Sequence, residues 1–172
     1  MSVTTKHDIE ARLAALGIRL PLPPQPAGRY KPVLVRNGIG YVSGQFPLED
    51  GKVRFAGRLG GELDTETARK AARLAALNVL AQISENGPGF DSFRGLLRVD
   101  GAVASSEETH TGYPHVLDAA SELFVGALGP ELGAHTRTLI SVPRLPLNAA
   151  IELAVTFAVI CSCDDRCRLT AS

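Results

Sequence analysis

The sequence predicts an α+β domain in which a single mixed β-sheet carries two helices packed on one face. Short apolar runs of strand type occur in both halves of the chain, and two longer runs repeat apolar residues at helical spacing. The order is strands, helix, strand, helix, strands, which is typical of helices gathered on one side of a sheet. A chain of 172 residues with 45% hydrophobic residues can bury one such core.

Residues 1–27 are predicted to form a leading helix and an extended segment. Ile9, Leu13 and Leu16 recur at helical spacing, and Gly17 can close a helix that starts at Asp8. The segment LPLPPQPAGRYKP follows. Because proline cannot join a helix or a central strand, we expect this segment to run extended over the surface.

The next elements are predicted from turn and cap signals. Three short strands are expected in PVLVRNGIGYVSGQ and KVRFAG, with a hairpin turn at Asn37-Gly38. The clearest helix runs from Asp64, a good N-cap, to Asn86, and its alanine-rich apolar face can approach a sheet closely. A strand from Leu96 to Ser105 and a second helix from Pro114 to Leu128 come next.

The last two strands are expected at Thr136–Val142 and Ala149–Ile160. The outer face of the final strand carries Ala154 and Thr156, which are small and uncharged. A sheet face of this kind is typical of one that packs against other subunits, so we expect a closed oligomer with sites between protomers.

Charge and composition exclude some classes of function. The 18 basic and 18 acidic residues cancel, so we expect no nucleic-acid partner. No apolar run approaches the roughly 20 residues that span a bilayer, and the start lacks a signal-peptide order, so we expect a cytoplasmic protein without a membrane partner. Cys161, Cys163 and Cys167 lack a fourth zinc ligand nearby, which favours reduced thiols in a flexible tail, 161–172.

The stretch HTRTLISVPRLPLNAAIEL, from His135 to Leu153, carries the clearest functional signal. Arg137 stands near its start and Glu152 near its end, and a hairpin-like return is expected to bring both to the same end of a sheet. A guanidinium grips a carboxylate by two parallel hydrogen bonds, and a nearby carboxylate can handle a proton or a water. The pair therefore predicts a site for a small carboxylic acid, with a plain cross-strand salt bridge at a subunit interface as the equal alternative.

Three further residues are candidates for the same site. Tyr30 ends the extended segment and can cover a pocket, and Ser43 and Gly44 bring hydroxyl and backbone donors to a strand end. The alternatives are a surface tyrosine and a β-bulge without a ligand. His135 is more often structural than catalytic when it stands alone.

Three blocks in order, GRYKPVLVRNGIGYVSGQFP, DTETARKAARLAALNVLAQI and HTRTLISVPRLPLNAAIEL, resemble the YjgF/RidA family of enamine and imine deaminases. This family is also named endoribonuclease L-PSP and translation inhibitor. The resemblance covers 28–160, which we therefore expect to be the main domain. The closing block is the most specific of the three, because it combines an arginine, an apolar strand, Leu-Pro and a strand with glutamate.

The resemblance implies a chorismate-mutase-like fold, assembled as a homotrimer with three clefts between subunits. It implies that Arg137 binds the carboxylate of a 2-imino or 2-enamino acid, and that Glu152 and the backbone carbonyl of Leu139 position the hydrolytic water. Tyr30 and Ser43 would line the cleft. Neither a cofactor nor a metal is implied, because a protonated imine carbon is already electrophilic.

One departure concerns the segment VLDAASELF, which resembles a divergent branch of the family. Asp118 stands there, where a neutral amide would repel an anionic substrate less, so we include it among the substrate-binding candidates.

Two other functions are consistent with the sequence. One is a protein of this fold that binds small carboxylates or partners without turnover, and the other is an endoribonuclease.

Overall fold

The structure is a computed structural model and describes residues 5–106 and 113–160. The helices are α1 (Lys6–Ala15), α2 (Thr65–Glu85), the short α3 (Gly89–Ser92) and α4 (Tyr113–Leu128). The strands are β1 (Val33–Arg36), β2 (Ile39–Gln45), β3 (Leu48–Glu49), β4 (Lys52–Val53), β5 (Phe93–Ala104), β6 (Thr136–Val142) and β7 (Ile151–Val159), with a 3-10 turn at Pro146–Asn148.

The main sheet has the strand order β1-β2-β7-β5-β6. Only β5 and β6 run parallel, and the other three neighbouring pairs are antiparallel. Strands β3 and β4 form a separate two-stranded ribbon. A single mixed sheet with helices on one face was predicted, and the structure confirms it.

The connection between β6 and β7 differs from the prediction. We expected the two strands to return on each other as a hairpin, but the long strand β5 lies between them and pairs with both. The segment from Pro146 to Asn148 therefore crosses the end of β5, and Leu147 and Asn148 adopt positive φ there. Strands that follow each other in sequence are neighbours in space only about two-thirds of the time.

The core lies between the sheet and two helices. α2 lays its alanine-rich face on β7 and β2, and α4 packs beside it. On β7, alternate side chains enter this core: Ile151, Leu153, Val155 and Phe157. Small alanines let the helix approach the sheet closely, so the larger side chains of the strands fill the space between the layers.

α1 packs into the same core. Ile9 and Leu13 are buried, and Arg12 Nη1 donates to the carbonyl of Leu128 at the end of α4, at 3.2 Å. Its N-terminus has a capping box between Thr5 and Asp8. The leading helix therefore belongs to the body of the domain in space.

The opposite face of the sheet has no helix over it in the ranges that the structure describes. It carries apolar and small side chains, and Tyr41 and Ile140 are 46% and 59% exposed. It also carries the ion pair of Arg98 with Asp100 and the Glu152 carboxylate. An uncovered sheet face of this composition is typical of a surface that another chain covers.

No helix among the described residues is long and apolar enough to cross a membrane. The three tail cysteines lie outside the described residues.

Candidate functional site

A bulge in β2 places a glycine directly beneath Glu152. The register between β2 and β7 shifts between Val42 and Gln45, so Ser43 and Gly44 form a β-bulge. A Cβ atom added to Gly44 would lie 1.8 Å from Oε1 of Glu152. The glutamate can therefore occupy this position only because residue 44 has no side chain.

The Glu152 carboxylate is half-buried and free of partners within the described ranges: no hydrogen bond or ion pair reaches it. Burial raises the pKa of its carboxyl group. It borders a cavity of about 240 Å³ on the uncovered face, lined by Asp100, Gly101, Ala102, Thr138, Ile140, Glu152 and Ala154. An unpaired carboxylate beside such a space can accept a proton from a water molecule.

Tyr30 and Gly44 lie near each other. They line a recess of about 40 Å³ together with Leu147 and the proline-rich segment. The Tyr30 hydroxyl accepts a hydrogen bond from the Ala27 amide at 3.3 Å. The Ser43 hydroxyl donates to the carbonyl of Lys31 at 2.9 Å and so ties the extended segment to β2.

A group of buried amides holds the bulge in place. Gln45 Nε2 donates to the carbonyls of Ser43 and Gly44, at 2.9 and 3.3 Å. Gln82 of α2 in turn donates to Gln45 Oε1 at 3.4 Å and to the carbonyl of Pro24 at 2.7 Å. Gln45 and Gln82 are almost fully buried. Because burying an amide is costly unless it is hydrogen-bonded, this network fixes the bulge to α2 and to the extended segment.

Asn78, one turn before Gln82 on α2, anchors the chain just beyond the bulge. Its Nδ2 donates to the carbonyls of Phe46 and Leu48 at 2.9 Å each. These amides were not among the residues predicted from the sequence. The available signal was two amide side chains four residues apart, beside the apolar face of an alanine-rich helix.

Arg137 lies on the edge strand β6 and faces α4. Its Nη2 lies 2.7 Å from Oδ1 of Asp118, and its Nη1 donates to the Ser121 hydroxyl at 3.2 Å. About a third of each charged side chain is exposed, 31% for Arg137 and 36% for Asp118. The hydrogen bond from Arg137 is the main reason why the pKa of Asp118 is lowered.

A hydrogen-bonded chain continues behind Arg137. His135 Nδ1 is 2.7 Å from the carbonyl of Gly133, and Nε2 is 2.9 Å from Ser121 Oγ. A carbonyl only accepts, so in the neutral ring Nδ1 carries the proton and Nε2 accepts from Ser121. The Ser121 oxygen is thereby left to accept from Arg137. Sequence spacing gave no reason to connect Ser121 and His135 with the arginine.

Arg137 and Glu152 do not meet within one protomer, and the hairpin-like return that was expected to bring them together is wrong. Through β5, Arg137 is in register with Val99 and Glu152 with Ala102. Those partners are three positions apart on β5, and an odd step along a strand reverses the face, so the two side chains project from opposite faces. Within the protomer the ionic partner of Arg137 is Asp118, and a salt bridge between Arg137 and Glu152 across a subunit interface stays a prediction.

The candidate residues thus form two groups. We call the first the glutamate half-site, which contains Tyr30, Ser43, Gly44 and Glu152. The second is the arginine half-site, which contains Asp118, Ser121, His135, Arg137 and Leu139. Leu139 is half-buried on the same face as Arg137 and packs toward Gly101.

In the described part of the chain, no group of three or more His, Cys, Asp or Glu side chains could hold a metal ion.

Comparisons with known proteins identify relatives along most of the chain. The family model "YjgF/chorismate mutase-like, putative endoribonuclease" matches residues 10–160. Protein TCP17 of Trypanosoma cruzi is 33% identical over 153 residues, which are 89% of this chain and 95% of that protein.

Solved structures are similar over the same region. A "putative endoribonuclease" from Shewanella oneidensis has a TM-score of 0.83 at 30% identity, covering 90% of this chain and 99% of that one. Atu1372 from Agrobacterium tumefaciens, a protein of unknown function, has a TM-score of 0.81 at 34% identity, covering 90% and 94%. RidA from an Antarctic Psychrobacter species shares the fold at 19% identity, with a TM-score of 0.55 and coverage of 80% and 94%.

Proposed function

The chain belongs to the YjgF/chorismate mutase-like family, and from this we propose that it hydrolyses reactive 2-imino and 2-enamino acids to a 2-oxo acid and ammonia. The observation that carries the proposal is the half-buried Glu152 carboxylate, which lies over Gly44 without a partner among the described residues. Carboxylates in this state are uncommon in structural roles, because burial without a partner costs free energy. They are suited to accepting a proton.

We propose that each active site is shared between protomers. The two half-sites lie on opposite faces of the sheet, so a small substrate cannot contact both within one chain. The arginine half-site lies on the edge strand β6, and the glutamate half-site lies at the bulge of β2 across the sheet. When such different surfaces meet head to tail and the rotation closes, a ring forms, and we propose a homotrimer.

The proposed assembly also explains the bare sheet face. Tyr41 and Ile140 are exposed there, and neighbouring protomers would cover them. The cavity beside Glu152 opens on the same face and would become an enclosed cleft. A closed cleft excludes bulk water while it can keep the single water that reacts, and this strengthens each charge interaction with the substrate. We propose that the trimer works in the cytoplasm.

The proposed reaction needs placement and one proton acceptor. Arg137 binds the substrate carboxylate and presents the imine carbon to the glutamate half-site of the neighbouring protomer. Ionised Glu152 accepts a proton from a water molecule as the water oxygen bonds to the imine carbon. Protonated Glu152 returns this proton to the nitrogen, and the tetrahedral carbinolamine then expels ammonia as the carbonyl of the 2-oxo acid forms. The raised pKa of Glu152 improves its strength as a base.

A coupled assay tests this function. An amino-acid oxidase generates the imine in place, and release of the 2-oxo acid is followed with wild type, Arg137→Ala and Glu152→Gln. We expect wild type to accelerate hydrolysis and both variants to fall close to the uncatalysed rate. If wild type is no faster than Arg137→Ala, the proposal is wrong.

The description of the family and of the Shewanella protein gives endoribonuclease as the second candidate. The formal net charge of zero does not favour it, because proteins that bind RNA backbone normally carry a basic surface. RNA cleavage that survives extensive purification and disappears in Glu152→Ala would establish it instead.

A further inference from the structure

We propose that Asp118 makes the arginine half-site selective for ligands that carry a positive charge next to their carboxylate. The matching substrate is the protonated form of a 2-imino acid, in which an iminium group adjoins the carboxylate. This inference rests on the proposed function, since it specifies the substrate class of the same site.

Asp118 changes the charge that Arg137 presents. It lies 2.7 Å from the guanidinium and offsets part of its positive charge. An incoming anion meets the arginine and, beside it, a carboxylate of its own sign, so a simple monoanion gains little. Charge matching therefore disfavours ligands that offer only a negative charge.

Arg137 and Asp118 keep donors and acceptors for a ligand. Arg137 has five N–H donors. Its Nη2 faces Asp118 and its Nη1 faces Ser121. The rest of the fork can still bind a carboxylate, and the side chain is 31% exposed. Asp118 uses Oδ1 for Arg137, while Oδ2 lies 3.4 Å from His115 on the exposed side. An iminium N–H can donate to this carboxylate.

An iminium hydrogen-bonded to Asp118 keeps its proton, so its carbon remains electrophilic when water attacks. The balance is complete: C=NH2⁺ and H2O give C=O and NH4⁺, with no oxidant or cofactor. An enamine enters the same route once its carbon is protonated, because that step produces the iminium.

α4 offers a matched control for this charge. Glu122 lies one turn beyond Asp118, and its Oε2 is 3.1 Å from Nη2 of Arg69 on α2. It carries the same charge on the same helix but pairs with a different arginine. The other titratable groups close by are His115, next to Asp118, and His135, which is bonded to Ser121 and Gly133.

The test is calorimetric titration of the full chain with pyruvate, a monoanion, and alanine, a zwitterion of the same carbon count. Wild type should bind alanine more tightly. Asp118→Asn should shift the ratio of affinities toward pyruvate by roughly two- to fivefold, the size of one lost charge contact at a partly exposed site. Glu122→Gln should leave the ratio as in wild type. Asp118→Glu, which keeps the charge, should retain the preference for alanine.

An unchanged ratio in Asp118→Asn overturns the inference, as does a matching shift in Glu122→Gln. If circular dichroism shows that Asp118→Asn does not fold, the inference is tested by comparing Asp118→Glu with wild type. Loss of the preference for alanine in Asp118→Glu then overturns the inference. The titration requires no turnover. A protein that shows the shift but does not accelerate imine hydrolysis keeps the selectivity and refutes the deaminase.

Discussion

Glu152 lies so closely over Gly44 that a Cβ atom at position 44 would be 1.8 Å from its Oε1. The two residues face each other where the bulge of β2 opens the ladder to β7. Since no described hydrogen bond or ion pair holds the carboxylate, packing on the glycine backbone determines where it lies.

Gly44→Ala is therefore expected to displace the Glu152 carboxylate. Gly44 does not have positive φ, so alanine is compatible with its backbone and the disturbance falls on the glutamate side chain. A shift of about 1 Å in a catalytic group can lower the rate about 100-fold. We expect kcat for imine hydrolysis to fall by about 10- to 100-fold.

Gly28→Ala is the control for this substitution. A Cβ there would meet the Tyr30 ring at 3.5 Å, which is ordinary van der Waals contact. It should retain wild-type kcat. Equal activity of Gly44→Ala and wild type would mean that Glu152 does not need its observed position.

The raised pKa of Glu152 predicts a pH-dependent gain in stability for Glu152→Gln. The folded protein holds the proton of Glu152 more tightly than the unfolded chain does, so the ionised side chain costs stability above the folded pKa. The variant should have a larger free energy of urea unfolding than wild type at about pH 7, because an ionised carboxyl group is then replaced by a neutral amide.

That gain should shrink as the pH falls through the pKa of Glu152 in the folded protein. It should disappear below the pKa in the unfolded chain, where the carboxyl group is neutral in both states. The same variant should lose activity. A difference in stability that stays constant across this range would show that the ionisation of Glu152 is not the cause.

Gln82→Leu should destabilise the protein and disturb the bulge. The substitution leaves the carbonyl of Pro24 and Oε1 of Gln45 without this donor in a buried place. Such losses cost about 1–3 kcal/mol, measurable as the free energy of urea unfolding. Gln25→Leu replaces an exposed amide next to Pro24 and should change the free energy of urea unfolding by less than about 0.5 kcal/mol. Equal losses in both variants would argue against the buried network.

Most elements could be predicted because their signals are local. Asp64 caps α2 and Asn86 ends it, as the sequence indicated, and the bounds of β6 match the expectation. The helix expected from Pro114 begins one residue earlier, at Tyr113. Each of these boundaries depends on a cap, a turn or an apolar period within a few residues.

The arrangement of the site could not be predicted in the same way. The hairpin expectation for β6 and β7 failed because β5, about 40 residues earlier in the chain, lies between them. That single insertion puts Arg137 and Glu152 on opposite faces. The contacts of Arg137 with Asp118 and Ser121 depend on how α4 lies beside the edge strand, which no local pattern encodes.

The measurement that tests the shared site most directly combines two inactive variants. Arg137→Ala and Glu152→Gln are co-expressed with different tags, and oligomers that carry both tags are purified and assayed for imine hydrolysis. In a mixed ring of three, one cleft receives an intact Glu152 from one protomer and an intact Arg137 from the next, so we predict about one third of wild-type activity. Mixed oligomers no more active than either variant alone would contradict a site built from two protomers.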